Sequence, residues 1–277
     1  MVIASLANPR VKAAVKLRDR QGRDEQGRIV IDGTREIGRA LDGGVKIALL
    51  FVCEELLDAE QHDLVQRALA SGGERLDVTR PVMEKLAFGQ RVEGLVAVAE
   101  TPHRSLSDVG QVFNLSPTGP GQVENLSYAP LIAVLEGVEK PGNVGAVLRT
   151  ADAVGVSALI VADGGTDLFN PNAIRASLGA IFTLPVCAAS SAETLAWLRD
   201  HPMQIVAART DGSTPYTKID FRSPTAIVLG TEAHGLSPLW QGDDITAISL
   251  PLLGHVDSLN VSAAAAVLFY EALRQRR

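Results

Sequence analysis

The sequence predicts an α/β protein of two domains, a small α/β domain followed by a larger one built on a mostly parallel sheet. Three observations predict this. Short β-like runs alternate with helical ones twice along the chain. A stretch rich in Ser, Gly and Pro interrupts the alternation at 101–129. The 277 residues, 46% hydrophobic and 21% charged, are enough for two cores of ordinary size and exclude a disordered or fibrous chain.

Residues 1–28 read as a basic arm or helix, because Arg10, Lys12, Lys16, Arg18, Arg20, Arg23 and Arg28 outnumber Asp19, Asp24 and Glu25. Such a segment could grip phosphates or form a solvated helix face. Over 29–100, strands are expected at 28–32, 46–53, 76–79 and 95–99, with helices at 34–41, 59–70 and 82–88 between them. Glycines mark the breaks at Gly33, Gly43-Gly44, Gly72-Gly73 and Gly89. In 101–129 the residues Ser107, Ser116, Pro117, Gly119, Pro120, Gly121 and Ser127 break any periodicity, so the segment reads as an interdomain linker.

The second domain, 130–277, opens at 131–138 with a near-continuous apolar run of the kind a strand buried on both faces requires. Further strands are expected at 158–162, 184–188, 205–208, 226–229 and 245–250, with helices between most of them. Strands joined through helices imply crossovers and a mainly parallel sheet, whose ligands bind beyond the carboxyl ends of the strands.

The net charge of −6 weighs against a general affinity for nucleic acid, although its distribution leaves the basic first segment free to act. Cys53 and Cys187 sit in apolar runs without CxxC spacing or a nearby His, and read as small buried hydrophobes. No metal site is expected. The first ten residues lack the pattern of a secretory signal, and the apolar runs at 48–53 and 263–270 are too short to span a membrane. A cytoplasmic protein without a membrane partner is the expectation.

Three segments at strand ends carry polar residues suited to chemistry. After the first strand of the second domain comes Gly137-Val138-Glu139-Lys140-Pro141-Gly142-Asn143-Val144-Gly145, with Asn143 as the expected N-cap of a helix at 146–154 that carries Arg149. Gly142-x-x-Gly145 does not match the dinucleotide-binding GxGxxG. The second segment, Gly230-Thr231-Glu232-Ala233-His234-Gly235-Leu236, flanks one carboxylate with glycines. Gly230 there admits a flat group close to the backbone, or else marks an ordinary turn with Glu232 in solvent. The third runs Leu250-Pro251 to Ser258-Leu259-Asn260-Val261-Ser262 before a helix at 263–274, for which Asp257 or Ser258 is the expected cap.

In this order, Asn-x-Gly-x-x-x-Arg, Gly-Thr-Glu-x-x-Gly-Leu and Leu-Pro followed by Ser-Leu-Asn-Val-Ser resemble the SpoU (TrmH) family of SPOUT RNA methyltransferases. The likeness covers 131 to the C-terminus and extends to Asn170-Pro171-Asn172-Ala173-Ile174-Arg175, which is similar to a helix start of that family. It implies a deep trefoil knot in the C-terminal sheet, S-adenosylmethionine as methyl donor, a homodimer, and 2′-O-methylation of a ribose in RNA. The first domain resembles the family's ribosomal-protein-like substrate-binding domain in Asn8-Pro9-Arg10-Val11-Lys12, Ile31-Asp32-Gly33-Thr34-Arg35-Glu36 and Gly94-Leu95-Val96-Ala97-Val98. Asp32 stands where the family often has Glu.

By position, the resemblance assigns Asn143, Arg149, Glu232, Ser258 and Asn260 to catalysis, and Gly230, Leu250 and Leu259, with Leu229 beside them, to the methyl donor. Such families are usually given the equivalent of Arg149 as general base. A guanidinium stays protonated at working pH, so binding the phosphate beside the target ribose is the role its chemistry favours. Arg10, Lys12, Lys16, Arg18 and Arg35 are the expected RNA contacts, acting through charge and shape because aromatics are only 4% of the chain. Large-subunit 23S ribosomal RNA is the expected substrate, with a tRNA methyltransferase and a non-catalytic RNA-binding assembly factor as alternatives. A small-molecule nucleotide enzyme would leave the first domain unexplained.

Overall fold

The computed structural model describes residues 2–89, 92–111 and 129–277. The chain folds into two compact units, Met1–Pro102 with Asp167–Thr183, and His103–Thr166 with Leu184–Arg277. Residues 112–128, most of the expected linker, lie outside the described residues.

The first unit begins with helices α1 (Pro9–Lys16) and α2 (Arg20–Gln26). It continues through β1 (Arg28–Asp32), α3 (Thr34–Asp42), β2 (Ile47–Val52), α4 (Ala59–Ala70), β3 (Glu74–Asp77), α5 (Arg80–Leu86) and β4 (Leu95–Glu100). Its sheet has the order β1-β4-β2-β3, with β4 antiparallel to both neighbours and β2 parallel to β3. The first 28 residues do not stand apart from this core. Val11, Ala14 and Leu17 repeat at helical spacing and are buried with Phe51, Met83 and Val96. Arg23, counted in the basic cluster expected to grip phosphates or form a solvated helix face, is likewise buried: it pairs with Asp167 and donates to the Leu17 carbonyl (2.6 Å).

The second unit comprises α6 (Leu106–Gly110), β5 (Leu131–Glu136), α7 (Pro141–Val154) and β6 (Ala158–Ala162). The chain then gives α8 (Pro171–Ala176) and α9 (Ala180–Thr183) to the first unit. It returns with β7 (Val186–Ala189), α10 (Ser191–Arg199), β8 (Gln204–Ala208), β9 (Thr214–Pro215), β10 (Thr225–Leu229), β11 (Ile245–Ser249) and α11 (Val261–Arg276). Seven parallel strands follow the order β7-β6-β5-β10-β8-β11-β9. Within the segment expected to be linker, α6 buries Val109 in this unit's core.

Register matters most for the site. Leu229 of β10 lies beside Leu135 of β5 and Ala208 of β8, and Ala208 lies beside Ile248 of β11. The carboxyl ends of β8, β10 and β11 therefore open side by side.

Two helix starts differ from expectation. Helix α7 begins at Pro141, where a missing N–H costs nothing, so Asn143 lies in the first turn and is not the cap. Helix α11 begins at Val261 with Asn260 as N-cap, in place of Asp257 or Ser258. The Asn260 Oδ1 accepts from the Ser262 backbone N–H (2.9 Å) and hydroxyl (2.6 Å). No helix among the described residues is long and apolar enough to cross a membrane.

Candidate active site

A cavity of 510 Å³ opens at the carboxyl edge of the second unit's sheet. Its walls are 208–211 after β8, 229–236 after β10, Leu250 and Leu252 after β11, and 257–259 with Val261 and Ala264 around the start of α11. Leu229, Gly230, Leu250 and Leu259, expected at a ligand site, all line it, as do Glu232 and Ser258.

Asn143 and Asn260 stand behind the Glu232 carboxylate. Its Oε1 accepts from Asn260 Nδ2 (2.6 Å) and Asn143 Nδ2 (2.9 Å), and Lys140 Nζ lies 3.8 Å from Oε2. The Ser258 hydroxyl donates to the Glu232 carbonyl at 3.4 Å, and Asn260 Nδ2 also reaches Asn143 Oδ1 at 3.4 Å. Because Asn260 Oδ1 is committed to capping α11, its amide can only donate toward the carboxylate. Three chain segments 89 and 28 residues apart thus fix one carboxylate at the cavity wall through two amide donors.

The shape of the 230–236 loop explains Gly230. Thr231 and Gly235 exchange backbone hydrogen bonds (3.1 and 3.0 Å), pinching the loop so that Glu232 stands on its tip. A Cβ at Gly230 would overlap the Gly235 carbonyl. The close approach read from the sequence is therefore made by the loop's own backbone, and no flat ligand is needed to account for it.

Arg149 is on α7 and exposed, and its guanidinium makes no hydrogen bond or ion pair among the described residues. The structure does not bring it into the group around Glu232. Among the expected RNA contacts, Lys12, Lys16 and Arg35 are exposed, and Arg10 pairs with Glu74 at 2.5 Å. Arg18 is half-buried: it donates to the carbonyls of Lys85 and Ala87 (2.7 Å each) and lies 5.9 Å over the Phe88 ring. Among the described residues no group of three or more His, Cys, Asp or Glu could hold a metal.

Arg209, Thr210, Asp211, Leu252 and Asp257 line the cavity and were missed as site residues by sequence reasoning. Arg209 holds Asp211 through two bonds (2.8 and 2.7 Å), and this guanidinium keeps the carboxyl below its ordinary range. The signal was present: β8 was read as a strand of a parallel sheet, and the strand-end rule nominates the residues that follow it.

Residues 130–270 match the SpoU rRNA Methylase family, and residues 8–97 match the MRM3-like substrate binding domain. The chain is 32% identical to the 23S rRNA (guanosine-2′-O-)-methyltransferase RlmB of Pseudomonas aeruginosa, over 83% of this chain and 96% of that protein. A crystal structure of an RNA 2′-O ribose methyltransferase superposes with a TM-score of 0.80 at 40% identity, covering 100% of this chain and 99% of that one. The AdoMet-bound rRNA methyltransferase of Sinorhizobium meliloti superposes with a TM-score of 0.84 at 28% identity, covering 99% and 97%. The matched half of the chain contains the whole Glu232 cluster and every wall of the cavity, and it makes this protein a member of the SpoU rRNA Methylase family.

Proposed function

We propose that the protein transfers a methyl group from S-adenosylmethionine to a ribose 2′-oxygen of RNA, with 23S ribosomal RNA as substrate. The observation that carries this reading is the Glu232 carboxylate, held by Asn143 and Asn260 at the wall of a strand-end cavity. The cavity suits the methyl donor in size and chemistry. Leu229, Leu250, Leu252 and Leu259 offer an apolar wall to the adenine, while Glu232, Asp211 and Asp257 face a molecule with a cationic sulfonium and amine. When bound, the donor supplies an activated methyl group, which leaves the protein the tasks of aligning the ribose and easing loss of its proton.

In this reading Glu232 orients the 2′-hydroxyl, Asn143 and Asn260 hold Glu232, and Ser258 steadies the loop from its other side. Arg149 has its planar fork free to bind the phosphate next to the target ribose. Lys12, Lys16 and Arg35 are the RNA contacts of the first unit, whereas Arg10 and Arg18 are engaged by Glu74 and by the Lys85 and Ala87 carbonyls. The 23S assignment is supported by the name of the Pseudomonas aeruginosa relative and by the match of residues 8–97 to a substrate-binding domain. A substrate of this kind makes the cytoplasm the expected location.

A homodimer is the proposed assembly. Val267 and Tyr270 present an apolar face of α11 to solvent, and Leu253 and Val256 are 99% and 61% exposed, a surface suited to a second copy. A trefoil knot is the proposed topology, supported by the position of β10 between β5 and β8 although it follows β9 in sequence.

The test is to incubate the protein with labelled S-adenosylmethionine and separated ribosomal and transfer RNA, then map alkali-resistant 2′-O-methyl positions. Label in 23S RNA is the expected result. Label in transfer RNA alone would move the assignment to that substrate, and methyl-donor binding without transfer would favour a non-catalytic RNA-binding factor. Arg149→Lys keeps the charge and loses the fork, and is expected to lower turnover by about tenfold or more with methyl-donor affinity unchanged. Full activity would exclude a role that needs the fork.

A further inference from the structure

Glu136 closes β5 in the middle of the seven-stranded sheet and is 6% exposed. A carboxylate this deep persists only if its oxygens are satisfied. Its Oε2 accepts from the backbone N–H of Ser237 (2.7 Å), and its Oε1 accepts from the hydroxyls of Ser237 (2.7 Å) and Ser191 (2.9 Å). Among the described residues it has no cationic partner, but Ser191 is the first residue of α10, whose N-terminal end favours a nearby anion.

These partners give the carboxylate a position in the site. Ser237 ends the loop that lines the cavity and carries Glu232, and it begins the Pro238–Trp240 turn whose Trp240 is fully buried. At the other end the loop leaves β10, which is paired on both edges. Between these ends residues 232–235 are exposed, so packing does not fix them. The loop depends on its two attachments and on the Thr231 to Gly235 pinch.

We infer that Glu136 is a positioning residue of the methyl-donor cavity: it anchors Ser237 to β5 and α10 and so sets where the 230–236 wall and Glu232 stand. The inference rests on the methyl-donor reading given above. Its bonding pattern also dictates which substitution is tolerated. Both serine hydroxyls can accept as well as donate, so a glutamine can place its oxygen on the Ser237 N–H and its amide on the hydroxyls. Alanine removes the acceptor and leaves the Ser237 N–H and both hydroxyls without their shared partner.

The experiment compares Glu136→Ala, Glu136→Gln and the Ser191→Ala/Ser237→Ala pair with the native full chain. It measures S-adenosylmethionine Kd by calorimetry, kcat, the KM for RNA, and the melting temperature. Glu136→Ala is expected to weaken methyl-donor binding by about tenfold and to lower kcat, with the RNA KM within about twofold of native. Glu136→Gln is expected to restore both quantities to within about threefold of native. A merely structural role would lower the melting temperature and leave Kd and kcat of the folded protein unchanged, and that result overturns the proposal. So does a glutamine variant as impaired as alanine. If Glu136→Ala does not fold, the serine pair carries the test, with weakened methyl-donor binding expected and native binding overturning. Lack of methyl-donor binding by the native chain would instead overturn the reading of the cavity itself, and the proposal with it.

Discussion

Asn260 has two jobs at once, and they can be pulled apart by substitution. Its Oδ1 caps α11 and its Nδ2 holds Glu232. Asn260→Asp keeps the capping oxygen but replaces the amide donor by a second carboxylate against Glu232. The expected outcome is a melting temperature close to native with methyl transfer reduced by tenfold or more, on the order expected when a charge-assisted bond becomes a repulsion. Asn260→Ala removes both functions, so it should also lose about 1 kcal/mol of stability with the cap. Equal activity of Asn260→Asp and the native protein would remove Glu232 positioning from the role of this residue. The cysteines allow a second check. Burial pushes the Cys187 thiol up to about 12 and raises that of Cys53, and each residue is only 1% exposed. A thiol reagent at pH 8 should label neither Cys until the chain is unfolded, and then both. Residue types at this scale were legible in the sequence: Asn143, Glu232 and Asn260 could be named because the strand-end segments that hold them resemble, in order, the motifs of the SpoU family. That they share one carboxylate could not, since contacts across 89 and 117 residues are set by sheet order alone.

At the scale of elements, the strands were the most legible, because runs such as Leu131–Glu136 and Ala158–Ala162 are buried on both faces and read as near-continuous apolar segments. Helix starts were less so. Helix α7 begins at Pro141 after Lys140, which offers no capping side chain, so Asn143 drew the expected cap, and Asn260 competed with Asp257 and Ser258 for the start of α11. Helices α1 and α2 were obscured by their charge, although Val11, Ala14 and Leu17 already marked a buried stripe. The two-residue β9 and the single turn α9 are too short to carry a period at all. Helix α11 also offers a test of pH dependence. The Arg274 guanidinium bonded to Glu271 holds its carboxyl down from 4.5 to about 2. Folding therefore favours the deprotonated form, so this stabilisation is complete above pH 4.5 and is lost as the pH falls toward 2. Glu271→Gln should melt below the native protein at pH 6, and the gap should close as the pH approaches 2. A gap that persists at pH 2 would assign the effect to packing.

Taken as a whole, the molecule has an acidic balance, −6, yet is read as a binder of a polyanion. The structure narrows how both can hold. Of the basic residues in the first segment, Arg23 and Arg18 are committed to the first unit's own acids and carbonyls, and Arg10 is paired with Glu74. Lys12, Lys16 and Arg35 remain exposed on that unit, which also takes in Asp167–Thr183 from the second half of the sequence. That insertion was not legible, because Asn170-Pro171 reads as a helix start wherever the helix packs. A small set of free cations on an acidic protein predicts RNA binding that is weak in general and steeply dependent on those few residues. Each phosphate contact on single-stranded RNA adds about 0.7 to the slope of log affinity against log salt. Replacing Lys12, Lys16 and Arg35 together by Ala should therefore lower that slope by about 2 and weaken binding at low salt. Arg23→Ala should instead destabilise the fold by about 3 kcal/mol, by leaving Asp167 without its partner, and leave the slope of the folded protein unchanged. Titrating a 23S RNA fragment by fluorescence anisotropy at several salt concentrations separates the two. An unchanged slope in the triple variant would move the RNA surface away from this unit's exposed cations, and Arg149 would then be the next residue to titrate.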